Sequence, residues 1–196
     1  MSAIAKPTGS PDPRGAFVFR TPFPESLPAD ELRVLGIDTS LRGTGLGLVA
    51  ARGSSMRSLW HETVRIPASH PLTLALLEIR SAVEQALESL CPAAVAVEGV
   101  FFAKFARSAL MLGHARGVVL SCCAAAGVPV YEYPPTRVKQ AVVGFGSAPK
   151  EQMQRMMQAM LRLDTVPPED EGDALAIAVC HLHNSTGVAA LRQEPL

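Results

Sequence analysis

The chain has 196 residues, which suits one domain with a real hydrophobic core and leaves too little length for two large lobes. Its 18 basic and 18 acidic side chains give a formal net charge of zero, so overall charge neither indicates nor excludes a nucleic-acid ligand. Four cysteines occur without a C-x-x-C pair or a zinc-ligand spacing to histidine, which argues against a disulfide framework or a zinc site.

The sequence predicts no membrane span, because no hydrophobic run approaches the roughly 18 residues that a span needs. The N-terminus also lacks the charged-then-apolar order of a secretory signal. A cytoplasmic location is the default expectation.

Residues 1–32 contain six prolines and no sustained helical or strand period. Such a segment cannot form regular hydrogen-bond ladders, and it offers little apolar surface to offset its ordering entropy. We therefore predict a flexible leader over 1–32, with an adaptor peptide anchored by Phe17, Phe19 and Phe23 as the alternative.

The remaining chain is predicted as one domain over residues 33–185, with a flexible tail over 186–196. Apolar and glycine patterns predict five strands, near residues 33–38, 43–49, 60–66, 94–98 and 128–133. Helical patterns begin near Pro71, Ser108, Pro135, Lys150 and Glu169. This order predicts an α/β fold with a mixed five-stranded sheet flanked by helices on both faces.

Two apolar runs end abruptly in a carboxylate, at Asp38 and Glu98, and an acidic cluster with Asp170 and Asp173 opens the last helix. Side chains at the carboxyl ends of buried parallel strands converge at one edge of the sheet. Carboxylates crowded there repel one another unless a hard cation such as Mg²⁺ lies between them. The sequence therefore predicts a divalent-metal site, and the alternative is that each acid only caps a strand or helix.

Asp170 and Asp173 are three residues apart at a helix start, which puts both on one face. The positive end of the helix dipole favours their ionised forms. A lysine in the first turn of a helix opposes the dipole, so Lys150 is expected to serve a function, with a solvated lysine as the alternative.

Basic residues across the middle of the chain are candidates for phosphate contacts, and a solvated mixed-charge surface is the alternative. These residues are Lys104, Arg107, Arg116, Arg137, Lys139, Lys150 and Arg155.

Several longer segments occur in a recognisable order. They are Gly36-Ile37-Asp38, the Thr44-Gly45 turn, Val97 to Lys104, Ser108 to Gly117, Val138 to Ala148, and Asp173 to Ala178. Together they resemble RuvC, the bacterial family of Holliday-junction resolvases, over nearly everything from Arg33 to Asn184.

The resemblance implies a fold similar to RNase H and a homodimeric, Mg²⁺-dependent endonuclease that cuts a four-way DNA junction symmetrically. It assigns the four catalytic, metal-binding positions to Asp38, Glu98, Asp170 and Asp173. Two Mg²⁺ ions are expected in each site, with Mn²⁺ able to substitute, and RuvA and RuvB are the implied protein partners. Lys139 and Lys150 match basic positions of the family's active site.

Phe101 is expected to stack on a base at the junction centre, and Lys104 and Arg107 complete the expected DNA contacts. The helix from Ser108 to Ala126 is the candidate dimer interface, with burial against its own sheet as the alternative.

The chain departs from the family at Thr39-Ser40-Leu41, where Pro-Gly-Ser is usual, and in its longer leader. Two other functions remain open at this point. A phosphotransferase of the actin and sugar-kinase type also begins with a strand ending in Asp, although this chain lacks a second lobe. A non-catalytic DNA-binding module is the other, and the presence of all four acids argues against it.

Overall fold

A computed structural model of the protein describes residues 17–99, 106–144, 149–185 and 194–196. The described residues form five strands, which are β1 (Leu32–Asp38), β2 (Gly43–Arg52), β3 (Ser55–Arg65), β4 (Ala94–Glu98) and β5 (Val130–Tyr133). They make one sheet in the order β3-β2-β1-β4-β5. β1, β2 and β3 are antiparallel neighbours, whereas β4 runs parallel to β1 and β5 runs parallel to β4. The predicted mixed five-stranded sheet is confirmed.

Five helices flank the sheet within the described ranges. They are α1 (Leu72–Leu90), α2 (Ala106–Ala125), α3 (Pro135–Val143), α4 (Lys150–Leu161) and α5 (Glu169–Ser185). α1 and α2 pack together over one face, and α3, α4 and α5 cover the other. The sheet therefore separates two hydrophobic cores.

Alternation along the strands decides which face each residue joins. In β1, Leu35 and Ile37 belong to the core beneath α1 and α2, whereas Val34 belongs to the core beneath α5. Asp38 continues the Val34 side of the strand, so it points to the α5 face. In β4 the same alternation places Glu98 on the α5 face.

β3 is longer than predicted, because it begins at Ser55 rather than near Trp60. It is an edge strand, and its first residues are mostly polar and follow a turn at Gly53, whose φ is +60°. A strand end with a solvated face shows no apolar run, so the apolar pattern alone misses its start.

Residues 17–31 form a segment that we call the N-terminal strap. Phe17, Phe19 and Phe23 pack against the core beneath α1 and α2. The ring of Phe19 meets that of Trp60 in β3 edge-on, with centroids 5.1 Å apart. The predicted flexible leader over 1–32 includes the strap, where these aromatic rings supply apolar burial that the prolines do not.

Polar contacts hold the strap as well. Arg20 Nη2 and the Thr21 backbone N–H donate to the Glu62 carboxylate at 3.1 and 2.9 Å. Glu62 lies in β3 and is only 3% exposed, and a carboxylate buried to that degree needs such partners. Residues 1–16, the rest of the predicted leader, lie outside the described residues.

The predicted tail over 186–196 is described only at 194–196. There the Leu196 backbone N–H donates to the carbonyl oxygen of Val130 at 2.9 Å. The C-terminal residue therefore contacts β5 at the outer edge of the sheet.

All four cysteines are free thiols. Cys122, Cys123 and Cys180 are buried, whereas Cys91 is exposed just after α1. Burial raises the pKa of Cys123 and of Cys180 to about 12. These two thiols therefore stay protonated at neutral pH.

α2 is long and apolar enough to cross a membrane by length and composition, and it is the one such helix in the part of the chain that the structure describes. Its apolar residues are interrupted by Arg107, His114 and Arg116, so they do not form one continuous apolar run. Core helices of soluble proteins pass the same test. Ala115, Val119 and Cys123 of α2 are buried in the core that α1 shares, which accounts for part of its apolar character.

Candidate active site

Two predicted carboxylates lie at the ends of neighbouring strands. β1 and β4 pair in parallel with Ile37 opposite Val97, so Asp38 and Glu98 come next in the two strands. Neighbouring strands are about 4.8 Å apart. Because both side chains point to the α5 face, the sheet brings these two acids together.

Glycines let α5 lie very close to this end of the sheet. A Cβ atom at Gly36 would come within 1.9 Å of a backbone oxygen of α5, and one at Gly45 within 2.0 Å of the Asp170 carbonyl oxygen. A Cβ at Gly43 would lie 3.1 Å from Asp170 Oδ2. Since Gly45 pairs directly with Asp38 of β1, Asp170 lies over the same end of the sheet.

Glu98 shows the electrostatic effect of this crowding. Burial raises its pKa, the charge of Asp173 raises the pKa further, and Lys139 lowers it. Charges shift a pKa in this way only at short range. Asp173 of α5 and Lys139 of α3 are therefore neighbours of Glu98.

The turn between β1 and β2 is closed by its own side chains. Thr44 Oγ1 donates to the Ser40 carbonyl oxygen, and the Gly43 N–H donates to Ser40 Oγ at 2.9 Å. Thr39 Oγ1 is buried and has no hydrogen-bond partner among the described residues. With Thr39-Ser40-Leu41 at this position the turn is still closed, and it carries an unpaired hydroxyl beside Asp38.

The donors at this edge suit a hard divalent cation. Carboxylate oxygens are the preferred ligands of Mg²⁺ and Mn²⁺, and a cation would relieve the repulsion at Glu98. The unpaired Thr39 hydroxyl adds an oxygen next to Asp38. As the side chains stand, no three His, Cys, Asp or Glu residues in the described ranges form a group that could hold a metal ion. The backbone nevertheless brings the predicted ligands Asp38 and Glu98 to neighbouring strand ends.

The structure describes less of the other predicted site residues. Lys150 begins α4, but its side chain lies outside the described part of the chain. Phe101 and Lys104 also lie outside it. Arg107 is exposed in the first turn of α2. Among the predicted basic residues whose side chains the structure describes, Lys139 is the one whose charge lowers the pKa of Glu98.

Arg116 differs from its predicted place in a basic surface, because its guanidinium is half-buried and already paired. Its Nη1 donates to the Glu98 carbonyl oxygen at 2.8 Å, and its Nη2 pairs with the Glu132 carboxylate. The residue therefore fixes the end of β4 from the α2 side of the sheet. Sequence spacing gives no sign of this contact, which joins α2 to β4 and β5.

Glu171, His61 and Thr63 were not predicted as site residues. The Glu171 carboxylate is 6% exposed and accepts hydrogen bonds from His61 Nδ1 and Thr63 Oγ1. Burial alone would raise its pKa, but the hydrogen bonds and positive charge from His61 and Arg65 give a net lowering. Glu171 and His61 are 110 residues apart in the sequence, and only the fold brings them together.

Comparison with known proteins agrees with this geometry. Residues 34–181 match the family described as "Crossover junction endodeoxyribonuclease RuvC". The chain belongs to the RuvC family. The RuvC of Moorella thermoacetica is 48% identical over 149 residues, covering 76% of this chain and 89% of that protein. The RuvC of Sorangium cellulosum is 46% identical over 160 residues, covering 82% and 89%. The resemblance found in the motifs is confirmed.

Solved structures support the same assignment. T. thermophilus RuvC in complex with a Holliday junction substrate superposes with a TM-score of 0.79 at 38% identity, covering 84% of this chain and 99% of that chain. A yeast mitochondrial Holliday junction resolvase shares the fold, with a TM-score of 0.59 at 12% identity. The RuvC family is a family of metal-dependent nucleases. The kinase-type alternative is therefore set aside.

Proposed function

We propose that this protein is a Mg²⁺-dependent endonuclease that resolves four-way Holliday junctions by paired symmetric strand cuts in recombination and repair. The observation that carries the proposal is the meeting of Asp38 and Glu98 at adjacent parallel strand ends, with the first turn of α5 lying over them. Family membership supplies the substrate class.

The proposed catalytic set consists of Asp38, Glu98, Asp170 and Asp173, which would hold the metal, together with Lys150. Two Mg²⁺ ions in the site, for which Mn²⁺ can substitute, would supply an activated water and stabilise charge on the entering and leaving oxygens. Glu98 is half-buried, which weakens the screening of nearby charges by water.

Lys139 and Lys150 are proposed to neutralise the phosphate that is cut. Lys139 is the better supported of the two, because its charge acts on Glu98. A cation next to the ligand carboxylates can pair with a non-bridging phosphate oxygen as negative charge develops there.

Contacts with DNA beyond the scissile phosphate are proposed for Phe101, Lys104 and Arg107. Arg107 is exposed at the start of α2, nine residues beyond Glu98 at the end of β4, so it lies on the chain that leaves the site. Phosphate contacts of this kind give affinity without sequence preference.

A homodimer is proposed because two symmetric cuts need two active sites related by a two-fold axis. α2 is the proposed interface: its Leu110 is 57% exposed, although the helix also packs on α1. RuvA and RuvB are the proposed protein partners and the cytoplasm the proposed location, on the basis of the family.

The test is cleavage of a synthetic mobile four-way junction with Mg²⁺, mapped to the nucleotide. Paired nicks at symmetric positions in two strands of like polarity, yielding products that ligate, are expected. Nicks in one strand alone would contradict the paired mechanism. Failure to cut any junction, in Mg²⁺ or Mn²⁺, while the protein binds it, would favour a non-catalytic DNA-binding module.

A further inference from the structure

The first turn of α5 carries a buried carboxylate that the proposed chemistry does not use. Glu171 lies between Asp170 and Asp173 and is 6% exposed. Its Oε2 accepts a hydrogen bond from His61 Nδ1 at 2.5 Å, and its Oε1 accepts one from Thr63 Oγ1 at 3.1 Å. An acid at a helix start gains from the dipole without being buried, so the helix terminus alone does not explain this arrangement.

Glu171 and Asp173 reach in different directions from the same helix. Successive residues of an α-helix are about 100° apart, so these two side chains leave the axis about 200° apart. Glu171 reaches β3 at one edge of the sheet, while Asp173 acts on Glu98 of β4 on the other side of β1. The rotation of α5 about its axis therefore sets both contacts at once.

The two partners of Glu171 lie beside the glycines that touch α5. His61 pairs with Gly47 and Thr63 pairs with Gly45 across the β2 and β3 ladder. A Cβ at Gly45 would meet the Asp170 carbonyl oxygen, which marks how closely the helix rests there. The glycines thus set how closely α5 approaches the sheet, but contacts with glycines do not fix the rotation of the helix about its own axis. The carboxylate contacts to β3 supply the missing constraint.

We propose that Glu171 is a positioning residue for the nuclease site, which, through His61 and Thr63, fixes the rotation of α5 and so the placement of Asp170 and Asp173 opposite Asp38 and Glu98. This inference rests on the proposed function, since it concerns the same carboxylates. It adds three residues that touch neither substrate nor metal and act only through the helix that carries two of the ligands.

The chain offers a matched control in a second buried histidine and glutamate pair. Glu78 of α1 is 3% exposed, and its Oε1 accepts a hydrogen bond from His70 Nδ1 at 2.7 Å. This pair lies on the α1 side of the molecule, away from α5. Glu78→Ala and Glu171→Ala therefore remove equivalent buried carboxylates, and only the second is joined to the ligand helix.

The experiment measures Mn²⁺ binding to the free protein by calorimetry, junction binding without divalent metal, and the unfolding temperature, for wild type and both variants. We expect Glu171→Ala to weaken Mn²⁺ binding about 10- to 100-fold, the usual effect of removing a group that orients a ligand. Junction affinity should stay unchanged. Glu78→Ala should lower the unfolding temperature similarly but leave Mn²⁺ affinity at the wild-type value.

Two further variants guard against a simple folding defect. Glu171→Gln keeps the side-chain length and can still bond to both partners, so it should bind Mn²⁺ with intermediate affinity. Thr63→Val removes one of the two hydrogen bonds from β3 and should weaken Mn²⁺ binding even if Glu171→Ala does not fold.

Unchanged Mn²⁺ affinity in folded Glu171→Ala, or in Thr63→Val when the former is unfolded, would overturn the inference. So would an equal loss of affinity in Glu78→Ala. In both cases wild type still cuts junctions and binds Mn²⁺, and the proposed function stands. A wild-type protein that neither binds Mn²⁺ nor cuts junctions would overturn both proposals together.

Discussion

The sheet face beneath α1 and α2 is filled by large apolar side chains such as Leu35, Ile37 and Leu46, whereas the face beneath α5 carries glycines at Gly36 and Gly45. On the first face, side-chain volume sets the distance between helix and sheet. On the second, backbone rests against backbone. Both faces carry a hydrophobic core, and the comparison indicates that the second face adds a close approach of α5 at the end of the sheet where the predicted site lies.

The difference has a physical reason. A core built from side chains can repack when one of them changes, since rotamers adjust. A helix that touches a sheet through backbone atoms has no rotamers to adjust, so its position is defined more sharply. The proposed ligands Asp170 and Asp173 lie on the helix that is held in this second way.

Adjacent residues of β1 offer the sharpest contrast between the faces. Asp38→Asn removes a proposed metal ligand and is expected to lower the cutting rate by more than about 100-fold while leaving junction binding intact. Ile37→Val, one residue earlier on the other face, should cost about 1 kcal/mol of stability and leave cutting unchanged. Gel shift and cleavage on the same preparations decide this, and an Asp38→Asn protein that cuts at the wild-type rate would remove Asp38 from the site.

A second prediction introduces a methyl group between α5 and the sheet. In Gly45→Ala the new Cβ would lie 2.0 Å from the Asp170 carbonyl oxygen, so the helix must move. We expect a loss of about 3 kcal/mol in unfolding free energy, accompanied by a loss of cutting. In Gly53→Ala nothing lies within 4 Å, and only the φ of +60° opposes the change. That control should cost about 1 kcal/mol and keep full activity.

A third prediction concerns the response of the α5 face to metal. Because the ion binds the folded state and not the unfolded chain, Mg²⁺ or Mn²⁺ at a hundredfold excess over its dissociation constant should add about 2.7 kcal/mol of stability. Thermal melting with and without metal measures this. The increase should be absent or small in Asp38→Asn. Wild-type melting curves unmoved by millimolar metal would argue against a shared site.

The smallest effects are expected from substitutions in the strap, which packs against the core beneath α1 and α2. Phe19→Ala removes a partly buried ring that contacts Trp60 and should cost about 2 kcal/mol with no change in the cutting rate per folded molecule. Its neighbour Val18 is 62% exposed, so Val18→Ala should change stability by less than about 0.5 kcal/mol. Denaturant unfolding measures the stability of both variants. Equal stabilities would show that the Phe19 ring contributes nothing to the fold.

Sequence patterns predict those features of the fold that residues close together in the chain determine. The apolar runs that end at Asp38 and Glu98 predict buried strands and adjacent acids, because alternation and strand direction are local properties. The spacing of Asp170 and Asp173 predicts a shared helix face for the same reason. The paired roles of these residues in catalysis remain predictions from the family.

Contacts between distant segments could not be predicted in this way. Glu171 and His61 are 110 residues apart, and only the packing of α5 on β3 makes them partners. The strap was expected to be flexible because its prolines break every period, yet its phenylalanines find Trp60 about 40 residues away. In both cases the missing information is which surface a side chain meets.

The exposed thiol of Cys91 gives the native protein a reporter position. Cys122, Cys123 and Cys180 are buried, and burial raises the pKa of each, so a maleimide dye should react selectively with Cys91. Cys91 precedes β4 and Glu98 ends it, so the length of that strand, about 13 Å, lies between the dye and the proposed site. Fluorescence can therefore follow junction binding by the unaltered chain, without substitution of any of its cysteines.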